Sequence, residues 1–215
     1  MTSREKILEE AFSHFSSKGI VSTRIDDIAA GAKVSKKTIY SLFSTKNELV
    51  EEACRWKLNV ISTKAQQIVD LEIGLIEKFV RYLEIVVTDV TDISTKMTGE
   101  VLENKEQVMG IVNEYLKGAV FNRFSSLIEQ GKAEHWINPE TDASANLIIY
   151  WETLSSFLFG RAGRHVPDEF QVNKPFFQLF GDQLINFFRG LLNESGIREF
   201  DQQLKRHEKL SGLFG

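Results

Sequence analysis

Residues Thr23–Glu48 read TRIDDIAAGAKVSKKTIYSLFSTKNE. Apolar side chains fall at Ile25, Ile28, Ala29 and Ala32, then at Val34, Ile39, Leu42 and Phe43, a helical spacing interrupted once around Lys33 and Val34. This predicts two short amphipathic helices joined by a tight turn. Start signals stand where they are needed: Thr23 with Asp26, Ser35 with Thr38, and Thr45 with Glu48 for a following helix. Each offers a side-chain oxygen to a backbone N–H that the first helical turn leaves unbonded. Upstream, Thr2 and Glu5 form a capping box for a helix ending near Lys18, with Gly19 just past its end.

The second helix of the quoted stretch carries Lys36, Lys37, Thr38, Tyr40 and Ser41 near its amino end, while Val34, Ile39, Leu42 and Phe43 are needed inside. Donors therefore point outward from a rod narrow enough for the major groove of DNA. From Ile28 through Asn47 there are four lysines (Lys33, Lys36, Lys37, Lys46) and no acid, so this face meets phosphate without like-charge repulsion. A charge run alone is more often a solvated helix face. Capping, turn and apolar pattern together favour DNA reading. The net charge of −4 is unevenly spread: residues 1–50 hold eight Lys or Arg against six Asp or Glu, the remaining residues 18 against 24. The positive field is local to the amino end, and the rest of the chain should avoid DNA.

Residues 4 to 50 resemble the amino-terminal domain of the TetR family of bacterial transcriptional regulators. The resemblance rests on Ile7, Leu8, Ala11, Phe12 and Phe15 followed by Gly19, then on Thr23, Ile28, Ala29, Val34, Ser35, Thr38, Ile39, Tyr40, Phe43, Lys46 and Leu49. It implies that Tyr40 and Lys46 hold phosphates while Lys36, Lys37, Thr38 and Ser41 face bases; Thr23, Arg24 and Ser35 complete the candidate DNA-binding set. Two departures stand out. The family often has glycine in the turn where this chain has Lys33, and again early in the second helix where it has Lys37. A left-handed backbone at Lys33 would cost roughly 1–2 kcal/mol. Lys37 adds a cation close to where DNA would lie.

A chain of 215 residues accommodates a small reading domain and a larger bundle. The expected division is 1–48 for the helix-turn-helix domain and 49–215 for a ligand-binding and dimerisation domain, with a helix over about 46–67 as the only covalent strut between them. The fold class expected is all-α, because only Pro139, Pro167 and Pro175 interrupt a period near 3.6. Leu75, Phe79, Tyr82, Leu83 and Val86 stripe one body helix, and another fills part of Ser94 to Leu102. A long one runs from Val108 through Val112, Tyr115 and Phe124 to near Gly131. Pro139 is expected at the start of the next, which continues through Leu147, Trp151, Leu154 and Leu158 to about Gly160. The last long helix is expected over Phe176 to Leu192.

That last helix has more apolar residues than one protomer's stripe requires. Leu147, Leu154, Leu158, Phe177, Phe180, Leu184, Phe188 and Leu191 are therefore candidates for a homodimer interface. The alternative is a wholly internal helix in a thick core. The resemblance favours the dimer, whose two reading helices about 34–36 Å apart would enter successive major grooves of a palindromic operator. Phe79, Tyr82, Val86, Val112, Tyr115, Phe124 and Trp151 are candidates for lining a pocket for a small lipophilic effector, with solid core as the plainer reading. Arg81, Glu84 and Arg123 could select a charged ligand group.

No catalytic residue, metal site or cofactor is expected: His14, His135, His165 and His207 are scattered, and no phosphate loop or nucleophile elbow appears. Cys54 is the only cysteine, the chain shows no signal-peptide core, and its longest apolar run is Leu147 to Trp151, so a cytoplasmic protein is expected. The functional expectation is a homodimeric repressor released from double-stranded DNA by its effector. Two alternatives stay open: a constitutive DNA-binding repressor, and a helical lipid-binding or carrier protein with a protein-binding head.

Overall fold

A computed structural model describes residues 1–85, 88–89, 97, 100, 106–115, 118, 121–158 and 176–207, the side chains of residues 106, 109, 143, 151, 153–158 and 176–180 excepted. Among them every regular element is a helix. In chain order these are α1 (Ser3–Lys18), α2 (Ile25–Gly31), α3 (Lys36–Leu42), α4 (Lys46–Val69), α5 (Leu75–Ile85), α6 (Glu106–Tyr115), α7 (Phe121–Ala133), α8 (Ala143–Leu158), α9 (Phe176–Leu191) and α10 (Glu194–Arg206). No helix among the described residues is long and apolar enough to cross a membrane.

The chain packs as two compact units, Met1–Thr63 with Asp92–Gly118, and Lys64–Thr91 with Ala119–Gly215. It therefore passes between them at three places, and α4 is one covalent strut of three rather than the only one. The sequence gives no hint of this, because residues 92–118 carry an ordinary helical stripe. Their destination is set by packing: Met97 and Val108 are buried in one core with Ile7, Phe15, Ile28 and Phe43.

In the first unit α1 opens with the expected capping box, the Thr2 hydroxyl accepting from the Glu5 N–H and the Glu5 carboxylate accepting from the Thr2 N–H. Hydrogen bonding to Thr2 holds the Glu5 carboxyl below its usual range. Ile7, Leu8, Ala11 and Phe15 recur at three- and four-residue steps and are all but fully buried. Gly19 ends the helix at φ 87°, a conformation open to glycine, and its N–H reaches the Phe15 carbonyl.

The second unit corrects two expectations. Pro139 does not begin a helix: Asn138 accepts from the Glu140 N–H in a turn, and α8 starts at Ala143 with the Asp142 carboxylate accepting from the Ala145 N–H. The helix expected to stop near Gly131 does so, at Ala133. Most consequentially, α9 is not the last helix. Asn193 caps α10 by accepting from the Gly196 N–H, and its own N–H donates to the Trp136 carbonyl at 2.8 Å. Phe200 and Leu204 on α10 are buried, and the Phe200 ring lies 6.0 Å from that of Phe188 on α9.

That added helix covers part of the apolar face of α9. The expected interface residues Leu147, Leu184, Phe188 and Leu191 are each no more than 2% exposed within the protomer, so they belong to its own core and not to a twofold seam. The remaining candidates, Leu154, Leu158, Phe177 and Phe180, have side chains outside the described residues. On α8 it is Ile148 and Ile149, 54% and 65% exposed, that face outward.

Gly131 marks the tightest approach in this unit. A Cβ there would stand 2.5 Å from Leu75 Cδ2 and 2.6 Å from Ile137 Cδ1, both on buried side chains. Overpacking costs about 1–3 kcal/mol, against a gain in helix propensity of less than about 1 kcal/mol. Gly131→Ala is therefore expected to lower the urea midpoint of unfolding, and an unchanged or raised midpoint would show that the contact has slack.

Candidate nucleic-acid interface

Helix α3 is only seven residues long, too short to persist on propensity alone. It is held at its amino end by Ser35, whose hydroxyl accepts from the Thr38 N–H at 3.0 Å, and on its inner side by Ile39 and Phe43, each 1% exposed. These two anchors are four residues apart and define one stripe. Lys36, Lys37, Tyr40 and Ser41 consequently lie exposed, and Thr38 is half-buried. The Ser41 hydroxyl donates to the Thr38 carbonyl, which leaves its lone pairs outward. Leu42, expected inside, is 41% exposed, because a helix this short buries the stripe of Ile39 and Phe43 and no second one.

Lysines supply the charge, and one is partly matched. Lys36 Nζ lies 3.1 Å from the Asp26 carboxylate, an acid just upstream of the acid-free window. Both partners are more than half exposed, so the pair is worth no more than about 1 kcal/mol and yields readily to a phosphate. Lys46, the first residue of α4, donates to the Thr23 carbonyl at 2.6 Å and reaches the Val21 carbonyl at 3.4 Å.

Thr23 itself is a correction. It neither caps α2 nor faces outward: it is 1% exposed, and its hydroxyl donates to the carbonyls of Gly19 at 2.7 Å and His14 at 3.1 Å. The cap position belongs to Arg24, whose exposed side chain makes no capping bond. Thr23 thus ties the end of α1 to the loop that launches α2. A hydroxyl followed by an acid three residues on looks the same in sequence whether it caps a helix or is buried one position earlier.

The turn between α2 and α3 places Lys33 at φ 55°, the left-handed region where a side chain costs energy. Sequence reasoning missed Arg4, whose guanidinium sits 5.2 Å from the centre of the Phe43 ring and pairs with Glu52, joining α1 to the end of α3 and to α4. An arginine in the first turn of an amphipathic helix carries no signal of such a role. Cys54 is 5% exposed, and burial pushes its thiol up to about 12, so it stays protonated and inert.

The residues expected to line a pocket are divided between the two units. Val112 and Tyr115 belong to the first unit, Phe79, Tyr82 and Phe124 to the second. Val86 lies outside the described residues, as does the Trp151 side chain. In the second unit the rings pack on one another: Phe79 on Phe188 at 4.5 Å, Tyr82 edge-on to Phe124 at 5.2 Å, Tyr150 on Phe187 at 4.4 Å. Burial, and then the neighbouring Tyr82, raises the Tyr150 hydroxyl well above its ordinary value, so it is a neutral donor. Among the described residues no cluster of His, Cys, Asp or Glu could hold a metal ion.

This is a helix-turn-helix head carried by an otherwise helical chain. Residues 7–53 match the family described as bacterial regulatory proteins, tetR family. The HTH-type transcriptional repressor KstR2 of Mycolicibacterium smegmatis is 32% identical over 75 residues, which cover 35% of this chain and 37% of that protein. Among solved structures, the fatty acid degradation regulator FadR from Bacillus halodurans is similar with a TM-score of 0.60 at 17% identity, over 89% of this chain and 97% of that one. FadR from Bacillus subtilis in complex with stearoyl-CoA is similar with a TM-score of 0.58 at 15% identity, over 86% and 98%. These two likenesses concern the fold.

Two substitutions test the head. Thr23→Val keeps shape but strips two carbonyls of a donor, and is expected to cost about 1–3 kcal/mol. Lys33→Gly relieves the left-handed strain and is expected to raise stability by up to about 1 kcal/mol, since glycine's greater chain entropy offsets part of the relief. Urea denaturation of the full chain checks both signs.

Proposed function

We propose that this protein is a transcriptional repressor that binds a palindromic operator in double-stranded DNA as a homodimer and is released by a small lipophilic effector. The observation that carries it is the outward array of Lys36, Lys37, Tyr40 and Ser41 on a helix anchored from behind by Ile39 and Phe43. Such a helix can enter a major groove with its donors toward base edges, while Tyr40 and Lys46 take phosphates. In this reading residues 1–48 read DNA and the remainder binds ligand and partner. The match of residues 7–53 to a family of bacterial regulatory proteins supports this reading over a carrier with a protein-binding head.

Homodimerisation now draws on the exposed Ile148 and Ile149 of α8, which a second copy would cover. The effector's lipophilic character follows from the aromatic composition of the second unit and accords with the acyl-CoA held by the similar B. subtilis regulator. Constitutive repression is the second reading, favoured by the ring-on-ring packing of Phe79, Tyr82, Phe124, Tyr150, Phe187 and Phe188 in the second unit.

Selection of bound duplexes from random DNA tests the main reading and should recover an inverted repeat. On that duplex Lys37→Ala is expected to weaken binding and, if the lysine touches phosphate, to flatten the slope of log affinity against log salt by about one. Tyr40→Phe should weaken binding without changing the slope. Recovery of no common sequence would overturn DNA reading. A bound duplex that no acyl-CoA or fatty acid releases, although one of them raises the melting temperature of the protein, would favour the constitutive form.

A further inference from the structure

We infer that Glu100, far outside the helix-turn-helix sequence, is a positioning residue for DNA binding that sets the loop between α1 and α2 and, through it, Lys46. The inference rests on the DNA-binding reading above. Glu100 Oε2 accepts from two successive backbone N–H groups of that loop, those of Ile20 and Val21, the latter at 3.0 Å. Two adjacent N–H groups converging on one point form a concave anion site, and here the chain supplies its own anion.

The carbonyl side of the same loop is engaged by a cation. Lys46 Nζ reaches the carbonyls of Val21 and Thr23, while the Thr23 hydroxyl holds the Gly19 carbonyl. The loop is thus gripped between a carboxylate on its N–H face and an ammonium on its carbonyl face. Val21 shares both grips, its N–H going to Glu100 and its carbonyl to Lys46. If the Glu100 grip is lost, the carbonyls that aim the Lys46 ammonium are no longer fixed.

Glu100 does not hang on the head by this contact alone. Met97, three residues earlier and also helical, is 4% exposed within the head's core, and Val108 follows it there at 2%. Met97 and Val108, on either side of Glu100 in the chain, are thus seated by apolar burial in the core that also holds Ile20. Ile20, the other donor to Glu100, is itself buried at 4%.

The test uses the full chain, the duplex recovered by selection, and Glu100→Gln, Glu100→Ala and Lys46→Ala variants. Glu100→Ala is expected to weaken duplex binding about tenfold, in line with a charge-assisted hydrogen bond, and Glu100→Gln, which keeps an acceptor oxygen, about threefold. Amide proton resonances of Ile20 and Val21 should move upfield in both variants. Because both side chains act on one loop, the losses from Glu100→Ala and Lys46→Ala should be less than additive when combined. Unchanged affinity, unmoved Ile20 and Val21 amides, or additive losses would each overturn the inference. If Glu100→Ala fails to fold, Glu100→Gln decides by the same affinity and amide readouts. If the unsubstituted protein selects no duplex, the DNA-binding reading falls and takes this positioning role with it, while the amide shifts still show whether the grip exists.

Discussion

Everything the head can do depends on burying Ile39 and Phe43. A helix of seven residues has about two turns and few internal hydrogen bonds, so it exists because its inner stripe is wanted by a core. That core is shared with α1, α2, the start of α4 and residues as remote as Met97 and Val108. Once the stripe is fixed, rotation about the helix axis is fixed, and the choice of which side chains face outward is no longer open. The chemistry of the outer face is then a matter of which residues sit opposite the anchors. Arg4 reinforces the seat from the side by lying over the Phe43 ring.

Local signals were readable wherever structure is decided locally. The Thr2 and Glu5 box, the Ser35 cap and the Gly19 stop are each settled within three or four residues of chain, and each appears as the letters suggest. The misreadings share a different cause. Thr23, Leu42 and the apolar face of α9 depend on what lies across from them, which no spacing records. Leu184, Phe188 and Leu191 look like surplus in the sequence because the helix that follows, α10, is hard to see there. Its signature, Asn193 followed by Ile197, Phe200 and Leu204 at helical steps, was present but sits in a polar stretch where only three apolar residues mark the stripe.

The candidate site shows the same division. Residues of α3 that point outward follow from the anchors and were legible. Glu100 was not, since a carboxylate facing the N–H groups of Ile20 and Val21 is separated from them by about eighty positions. Three passages of chain between the units, at residues 63, 91 and 118, arise from the same long-range folding back. A ligand that alters the second unit would therefore act on a chain that is tied to the first at more than one point. Any such effect still requires that the ligand prefer one arrangement over another.

The placement of α10 has a bearing on how the molecule is made. Domains close as units while the chain emerges from the ribosome. The first unit has all its segments once residue 118 has appeared, whereas the second cannot shield the Phe188 ring until Phe200 and Leu204 arrive. Closure around Phe188 therefore waits on Phe200, which follows it in the chain, so the aromatic interior of the second unit is completed only when α10 has folded onto α9.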